Sequence, residues 1–463
     1  MTRLVRLALL ALVVALVAPA AASAAPRMWM GFQDDPHFRW LPERFYMRDR
    51  AVHANATVIK TTVYWFNTAP RRPANPSNPF DPAYRWEDID EFVRQAADRD
   101  IEVMLSIWGT PSWAGPARNR MPRRLADLTA FARAMADRYS GKHRGFPHVR
   151  FYTVWNEPNL QLFLAPQYDA RGRSVAPANY ARLYRAGYAG LKAGSPTALV
   201  GIGETSPRKL STSPSHAPAR FAQLLSQQRP ALRFDAWAHH PYGSPASAPP
   251  TQRVGWPNVG MSSLTRFGNS LDTWFKRKNT RIWITEYGHE TRPEDPRGVP
   301  YATQAAYLRT AVNMARQNPR VDMLIWFAMR DHEVNLWQSG LLTYGGLEKP
   351  AFDIFSQLAK GVDARNAIVQ VKAGRANPAV RVATTKLAYR SGAGSPVGMT
   401  LRVYERGRLI RVAQPVVPLA RDGWITVRPG FTPLAGRTYV LELELGDVNG
   451  NRLHRRVTLV GVK

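Results

Sequence analysis

The chain has 463 residues, no cysteine, and 63 lysines and arginines against 34 aspartates and glutamates, a formal charge of +29. That length allows two or three domains or one large α/β barrel with an appendage, and 45% hydrophobic with 21% charged residues excludes disorder for the chain as a whole. Without cysteine, disulfides, Cys-ligated zinc, thiol nucleophiles and lipid attachment through a thiol are excluded together.

In chain order, Arg3 and Arg6 precede an apolar run from Leu7 to Val17, followed by the small residues Ala22-Ser23-Ala24. That order reads as a secretory signal peptide over residues 1–25, with a secreted, extracellular protein beginning near Pro26 and an uncleaved anchor as the alternative. The run is short for a bilayer span, and no later stretch reaches the roughly eighteen apolar residues that suggest one. The remaining positive charge is dispersed. It would draw the protein to anionic envelope polymers or acidic glycans, with salt weakening the attraction. No recognition motif accompanies it, so nucleic acid is not an expected partner.

From Met28 to about Arg365, short apolar runs alternate with helical patterns, as repeated βα units do. The expected strands are Met28 to Phe32, Thr57 to Tyr64, Glu102 to Ile107, Phe151 to Trp155, Leu199 to Ile202, Phe234 to His239, Ile282 to Thr285 and Met323 to Phe327. Between them, stripes such as Ile89, Phe92, Val93 and Ala96, or Leu125, Leu128, Phe131, Met135 and Tyr139, mark helix faces that pack on a sheet. Eight such strands predict a closed (β/α)8 TIM barrel over residues 26–365. An open doubly wound sheet competes, but Gly31-Phe32-Gln33-Asp34 supplies no glycine-rich phosphate turn.

After Arg365 helical stripes vanish and alternating strands follow, from Met399 to Glu405, Leu409 to Ala413, Trp424 to Arg428, Arg437 to Leu445 and His454 to Val460. Residues 366–463 are therefore expected to form a small all-β sandwich, a spacer or packing partner for the barrel, with a carbohydrate-binding role as the alternative.

Barrel enzymes collect reactive groups where strands end, so each strand's last residues are the places to look. The fourth strand runs directly into Asn156-Glu157-Pro158-Asn159, and the proline restricts the acidic residue at the mouth. The seventh ends in Glu286-Tyr287-Gly288. Two carboxylates facing each other across a barrel mouth match glycosidic bond cleavage, in which one protonates the departing oxygen and the other attacks the sugar. His239 and His240, as adjacent strand residues, face opposite sides, so no metal site is expected. Asp331-His332-Glu333 reads as a solvated loop at the rim. Neither a Gly-x-Ser-x-Gly elbow nor a P-loop occurs, and Gly201-Ile202-Gly203 lacks the third glycine of a dinucleotide turn, so no cofactor is implied.

Trp155-Asn156-Glu157-Pro158-Asn159 with Ile284-Thr285-Glu286-Tyr287-Gly288 resembles the retaining glycoside hydrolases of clan A, in particular the β-xylosidase and cellulase-like families. The resemblance takes in Trp108-Gly109-Thr110-Pro111-Ser112-Trp113-Ala114, Asp235 to Gly243, Trp326 and Gly345 to Phe352. It implies Glu157 as general acid/base, Glu286 as nucleophile and Asn156 on the sugar's 2-hydroxyl. It further implies Tyr242 orienting the nucleophile, His240 lining the site, Trp326 as the stacking floor, and Trp108 and Trp113 in neighbouring subsites. Clan members often carry arginine on strand two; here the aligned residue is Lys60, which cannot give bidentate support to a carboxylate. The expected function is a secreted retaining hydrolase of β-linked polysaccharides or oligosaccharides. A transglycosylase using the same two glutamates, or a non-catalytic glycan-binding envelope protein on this scaffold, are the alternatives. Every candidate catalytic group precedes Arg365, so the β-module is expected to be dispensable for chemistry.

Overall fold

The computed structural model describes residues 27–333, 337–366 and 368–463; the expected signal peptide lies outside them. Eight parallel strands close into a barrel: β1 (Trp29–Gln33), β2 (Val58–Tyr64), β3 (Glu102–Trp108), β4 (Phe151–Val154), β5 (Leu199–Thr205), β6 (Ala236–His239), β7 (Arg281–Tyr287) and β8 (Val321–Phe327). Closure runs through β1 and β8, paired from Trp29↔Met323 to Gln33↔Phe327. Every expected barrel strand is present, and the doubly wound alternative is excluded by the ring.

Strand alternation sorts the side chains into two cores. Trp29, Val58, Met104, Phe151, Ala236, Trp283, Met323 and Ile325 point inward and fill the lower barrel. Their neighbours, such as Ile59, Leu105, Tyr152, Trp237, Ile282 and Leu324, face the helices in a second, larger cluster. Gly201 makes room for the inward indole, since a Cβ there would lie 2.9 Å from the Trp283 ring. The helix Glu87–Asp98 buries Ile89, Phe92, Val93 and Ala96 on one face. Glu87, Asp88 and Asp90 in its first turn complement the positive end of its dipole. No helix among the described residues is long and apolar enough to cross a membrane.

Beyond the helix Pro350–Val362 lies the β-module: β9 (Ile368–Lys372), β10 (Val380–Ala383), β11 (Pro396–Glu405), β12 (Arg408–Ala413), β13 (Val416–Pro418), β14 (Trp424–Val427), β15 (Thr438–Gly446) and β16 (Arg452–Val462). A six-stranded sheet (β12-β11-β15-β16-β9, with β13 also on β11) and the pair β10-β14 share one core that includes Leu401, Leu441, Val457 and Leu387. Sequence reading missed β9, β10 and β13, and also a helix, Thr385–Ser391. Seven residues make two turns, too few for a readable 3.6-residue stripe.

The module sits on the end of the barrel where strands begin. Thr385 donates to Glu102 at the start of β3 (2.7 Å). Arg455 pairs with Asp100 (2.6 Å). The guanidinium of Arg150, just before β4, lies 4.3 Å from the Trp424 ring centre.

Candidate active site

At the opposite end of the barrel the inward positions turn from apolar to polar. Above the Trp283 and Met104 layer come Lys60 on β2, Ser106 on β3, Thr153 on β4 and His240 just after β6, each two residues from an inward apolar or small neighbour. Two carboxylates join them through breaks in the alternation. On β5, Gly203 pairs with Ala238 and Thr205 with His239, so Glu204 is an extra residue that the bulge turns inward. Gly203 has φ +100°, and a Cβ there would meet the Trp237 ring at 2.6 Å. On β7, Ile284 pairs with Leu324 but Tyr287 with Trp326, three steps against two, and the slip brings Glu286 to the inner face while Tyr287 joins the helix-facing core. Glu157 arrives beyond β4 on a backbone that enters the left-handed region at Trp155 (φ +75°) and Glu157 itself (φ +34°). Its N–H donates to the Glu204 carbonyl at 2.9 Å. Positive φ at Trp155, Glu157 and Glu204 concentrates backbone strain on this one ledge.

His240 is the pivot. Its Nδ1 lies 3.0 Å from Glu157 Oε1 and 3.5 Å from Glu286 Oε2, and its Nε2 is 4.0 Å from Glu204 Oε1. Beneath, Lys60 Nζ approaches Glu204 Oε1 at 2.5 Å and Glu286 Oε1 at 3.4 Å, and donates to the Thr285 carbonyl at 3.3 Å. Glu204 is fully buried and also accepts from Thr153 Oγ1 (2.6 Å) and Ser106 Oγ (3.3 Å). A cavity of about 400 Å³ opens over these groups, lined by Glu157, Glu286, Tyr242, Phe327 and Trp337 among others.

The charges order the protons. Burial pushes the Glu157 carboxyl up, His240 partly opposes this, and the nearby Glu286 adds a smaller upward push. Burial disfavours charge on His240, yet Glu286, Glu157 and Glu204 outweigh it and raise the imidazole to about 9. Burial likewise opposes charge on Glu204, but Lys60 and His240 pull its carboxyl down to about 2. Lys60 is held above its ordinary value by Glu204 and Glu286 against the cost of its own burial. Burial thus favours a proton on Glu157, while Glu204 and Lys60 hold each other in their charged forms. A low-dielectric pocket favours such pairing over an isolated charge.

Of the residues expected at the site, the structure brings together Glu157, Glu286, His240 and Tyr242. The last is buried beside both carboxylates, whose charges add to burial in raising its phenol. Asn156 sits half-buried at the same turn. Trp108 stands at the mouth beside Tyr64 and Trp155, its indole N–H donating to the Phe163 carbonyl (3.3 Å). Trp113 lies apart, its ring 4.5 Å beneath the Arg72 guanidinium and its N–H on the Ala69 carbonyl (2.7 Å). Trp326 is not a floor: it is 0% exposed, faces the helices and donates to the Ser339 carbonyl (2.9 Å). β8 keeps regular alternation through Met323 and Ile325, so the residue that reaches the cleft is Phe327. Asp331 is no solvated rim residue either, being buried in an ion pair with Lys349 (2.5 Å). His239 turns away from His240, onto Thr205 Oγ1 (2.9 Å) and the Val259 carbonyl (3.0 Å).

Sequence reasoning missed Glu204, Phe327 and Trp337. The rule of searching strand ends would have reached Glu204 had the fifth strand been extended past Ile202 through both glycines.

The family model for cellulase, glycosyl hydrolase family 5, matches residues 22–331. Solved structures share the fold at low identity. A glucosidase from Croceicoccus marinus superposes with a TM-score of 0.56 at 13% identity, covering 88% of this chain and 94% of that one. A family 39 glycoside hydrolase from Bacteroides cellulosilyticus WH2 gives 0.54 at 16%, covering 88% and 81%. A monomeric β-xylosidase from Caulobacter crescentus CB15 gives 0.52 at 13%, covering 92% and 98%. Among curated proteins the chain has no match. Because the family match spans well over half of the sequence and runs through both mouth glutamates, the chain belongs to the cellulase family, glycosyl hydrolase family 5, and is a glycoside hydrolase.

Proposed function

We propose that the protein is a retaining hydrolase of β-linked polysaccharides or oligosaccharides that works by double displacement, with Glu157 as acid/base and Glu286 as nucleophile. The observation that carries this reading is the shared His240 nitrogen. Carboxylate oxygens at 3.0 and 3.5 Å from one atom can lie no farther apart than the sum of those distances, which only reaches the lower limit of the inverting range. Retaining enzymes hold their carboxyl groups about 5–5.5 Å apart, whereas inverting enzymes need about 6.5–9.5 Å to admit a water. Burial keeps the proton on Glu157 for the leaving oxygen, while Glu286, supported by Lys60, attacks the anomeric carbon. The C–O bond to the aglycone breaks as the Glu286 ester forms, and the aglycone leaves with the Glu157 proton. With Glu286 then neutral, Glu157 loses one reason to stay protonated, takes a proton from water, and the resulting hydroxide displaces Glu286. The Arg3 to Ala24 segment supports export of the enzyme, and Edman sequencing of protein recovered from culture medium would start near Pro26 if cleavage occurs there.

The test is kinetic. Glu286→Ala should abolish turnover of every glycoside. Glu157→Ala should still form the intermediate from aryl glycosides with good leaving groups and regain turnover with azide. In the unaltered enzyme, kcat/KM should fall on the alkaline side as Glu157 loses its proton, with that limb displaced above the ordinary carboxylate range because burial favours the neutral form. An inverted first product by NMR, or full activity in either variant, would overturn the assignment.

A further inference from the structure

Among the described residues, the two cations beside the mouth glutamates are matched. Lys60 is held by Glu204 and Glu286, and His240 by all three glutamates. Arg208 differs. It lines the same 400 Å³ cavity as Glu157 and Glu286, half-buried, and its guanidinium donates from Nη1 to the Gly243 carbonyl at 3.4 Å. It pairs with no carboxylate among the described residues. The position is anchored on both sides. Ser206 N–H donates to Asn159 Oδ1 (2.9 Å), the Pro207 carbonyl accepts from Val259 (2.9 Å), and Lys209 N–H donates to Asn258 Oδ1 (3.0 Å). With the backbone around it fixed in this way, a guanidinium partly withdrawn from water, whose one hydrogen-bond partner among the described residues is the Gly243 carbonyl, matches a planar carboxylate better than any neutral hydroxyl.

We infer that Arg208 forms a subsite for a carboxylated sugar, so that the enzyme acts preferentially on β-linked glycans bearing a uronic acid next to the bond that is cut. This rests on the glycosidase reading above and names its substrate class. The net charge of +29 works in the same direction at long range, by drawing polyanions to the surface. The two contributions separate by range: surface attraction is screened over about 8 Å at physiological salt, whereas a paired contact inside the cleft is screened much less.

The experiment uses two β-linked oligosaccharides of identical backbone, one carrying a uronic acid residue and one neutral, offered together, with consumption followed by mass spectrometry. The unaltered enzyme should favour the acidic member in kcat/KM by about tenfold or more, the scale of one charge-assisted contact, and half-molar salt should leave most of that preference in place. In half-molar salt, which screens the long-range attraction, Arg208→Gln should bring the ratio to within about twofold of unity. Arg406→Gln, an equal change of charge at an exposed turn of the β-module, should leave the ratio as it was. An absent preference, one that survives Arg208→Gln, or one lost equally in Arg406→Gln overturns the inference while leaving the hydrolase intact. Consumption of neither oligosaccharide overturns the catalytic reading, and the inference with it.

Discussion

Lys60 and Glu204 form a buried ion pair directly under Glu286, and its energetics are unlike those of a surface pair. Each partner is fully enclosed, so removing one leaves the other with only a longer ionic contact, Lys60 to Glu286 at 3.4 Å or Glu204 to His240 at 4.0 Å, and no water to solvate it, a loss of about 3–5 kcal/mol. Lys60→Met and Glu204→Gln should each lower the unfolding free energy by that order. The double replacement should lose less than the sum, because no orphaned charge remains. Urea denaturation of the three variants measures this, and simple additivity would show that the pair is not coupled. The sign with pH follows from the depressed carboxyl. Glu204 titrates near 4.5 when unfolded and about 2 when folded. Its contribution is therefore present above pH 4.5 and is lost as pH falls toward 2. The Glu204→Gln protein should lack that portion of the acid-induced loss.

At the scale of elements, what the sequence made legible was governed by alternation and what it hid was governed by breaks in alternation. The eight strands and the helix faces could be read because apolar side chains recur at periods of two and 3.6 residues. Glu157 and Glu286 could be read because carboxylates directly after buried strands are conspicuous. Glu204 escaped because it is an even step from the helix-facing Ile202, and only the bulge after Gly203 turns it inward. Trp326 has the chemistry of a stacking floor, but it is one step from the inward Ile325 on the stretch of β8 from Met323 to Phe327 that keeps regular register, and parity gives the cleft to Phe327. The two aromatic residues should therefore respond differently. Phe327→Ala should raise KM for oligosaccharides several-fold with little effect on stability. Trp326→Ala should cost about 3–5 kcal/mol, as truncation of a fully buried aromatic does, with KM nearly unchanged in the folded fraction. Thermal unfolding alongside steady-state kinetics distinguishes them, and a KM effect confined to Trp326→Ala would restore the original expectation.

At the scale of the whole molecule, the two ends of the barrel divide the work. The carboxylates occupy the end where strands finish, and the β-module covers the end where they begin, so it does not touch the chemistry. Its contacts are nevertheless too buried to be those of a spacer. Glu102 and Arg150 are each at most 7% exposed in their side chains and lie 3.5 Å apart. Thr385 caps the one, and Trp424 lies under the guanidinium of the other. Ending the chain near Arg365 would expose both charged groups together with the apolar floor of Trp29, Phe151 and Trp283, so that truncated form should recover poorly or unfold at a markedly lower temperature. Trp424→Ala makes the same point without deleting the module. It removes the cation–π contact and the packing over Arg150, each on the order of 1–2 kcal/mol in a partly desolvated setting. The thermal midpoint should fall by several degrees, while kcat/KM per folded molecule stays unchanged, because no catalytic group moves. A loss of kcat/KM at full folding would instead mean that the module shapes the mouth of the barrel through its base, since strands that begin on Glu102 and just after Arg150 end in Trp108 and next to Glu157.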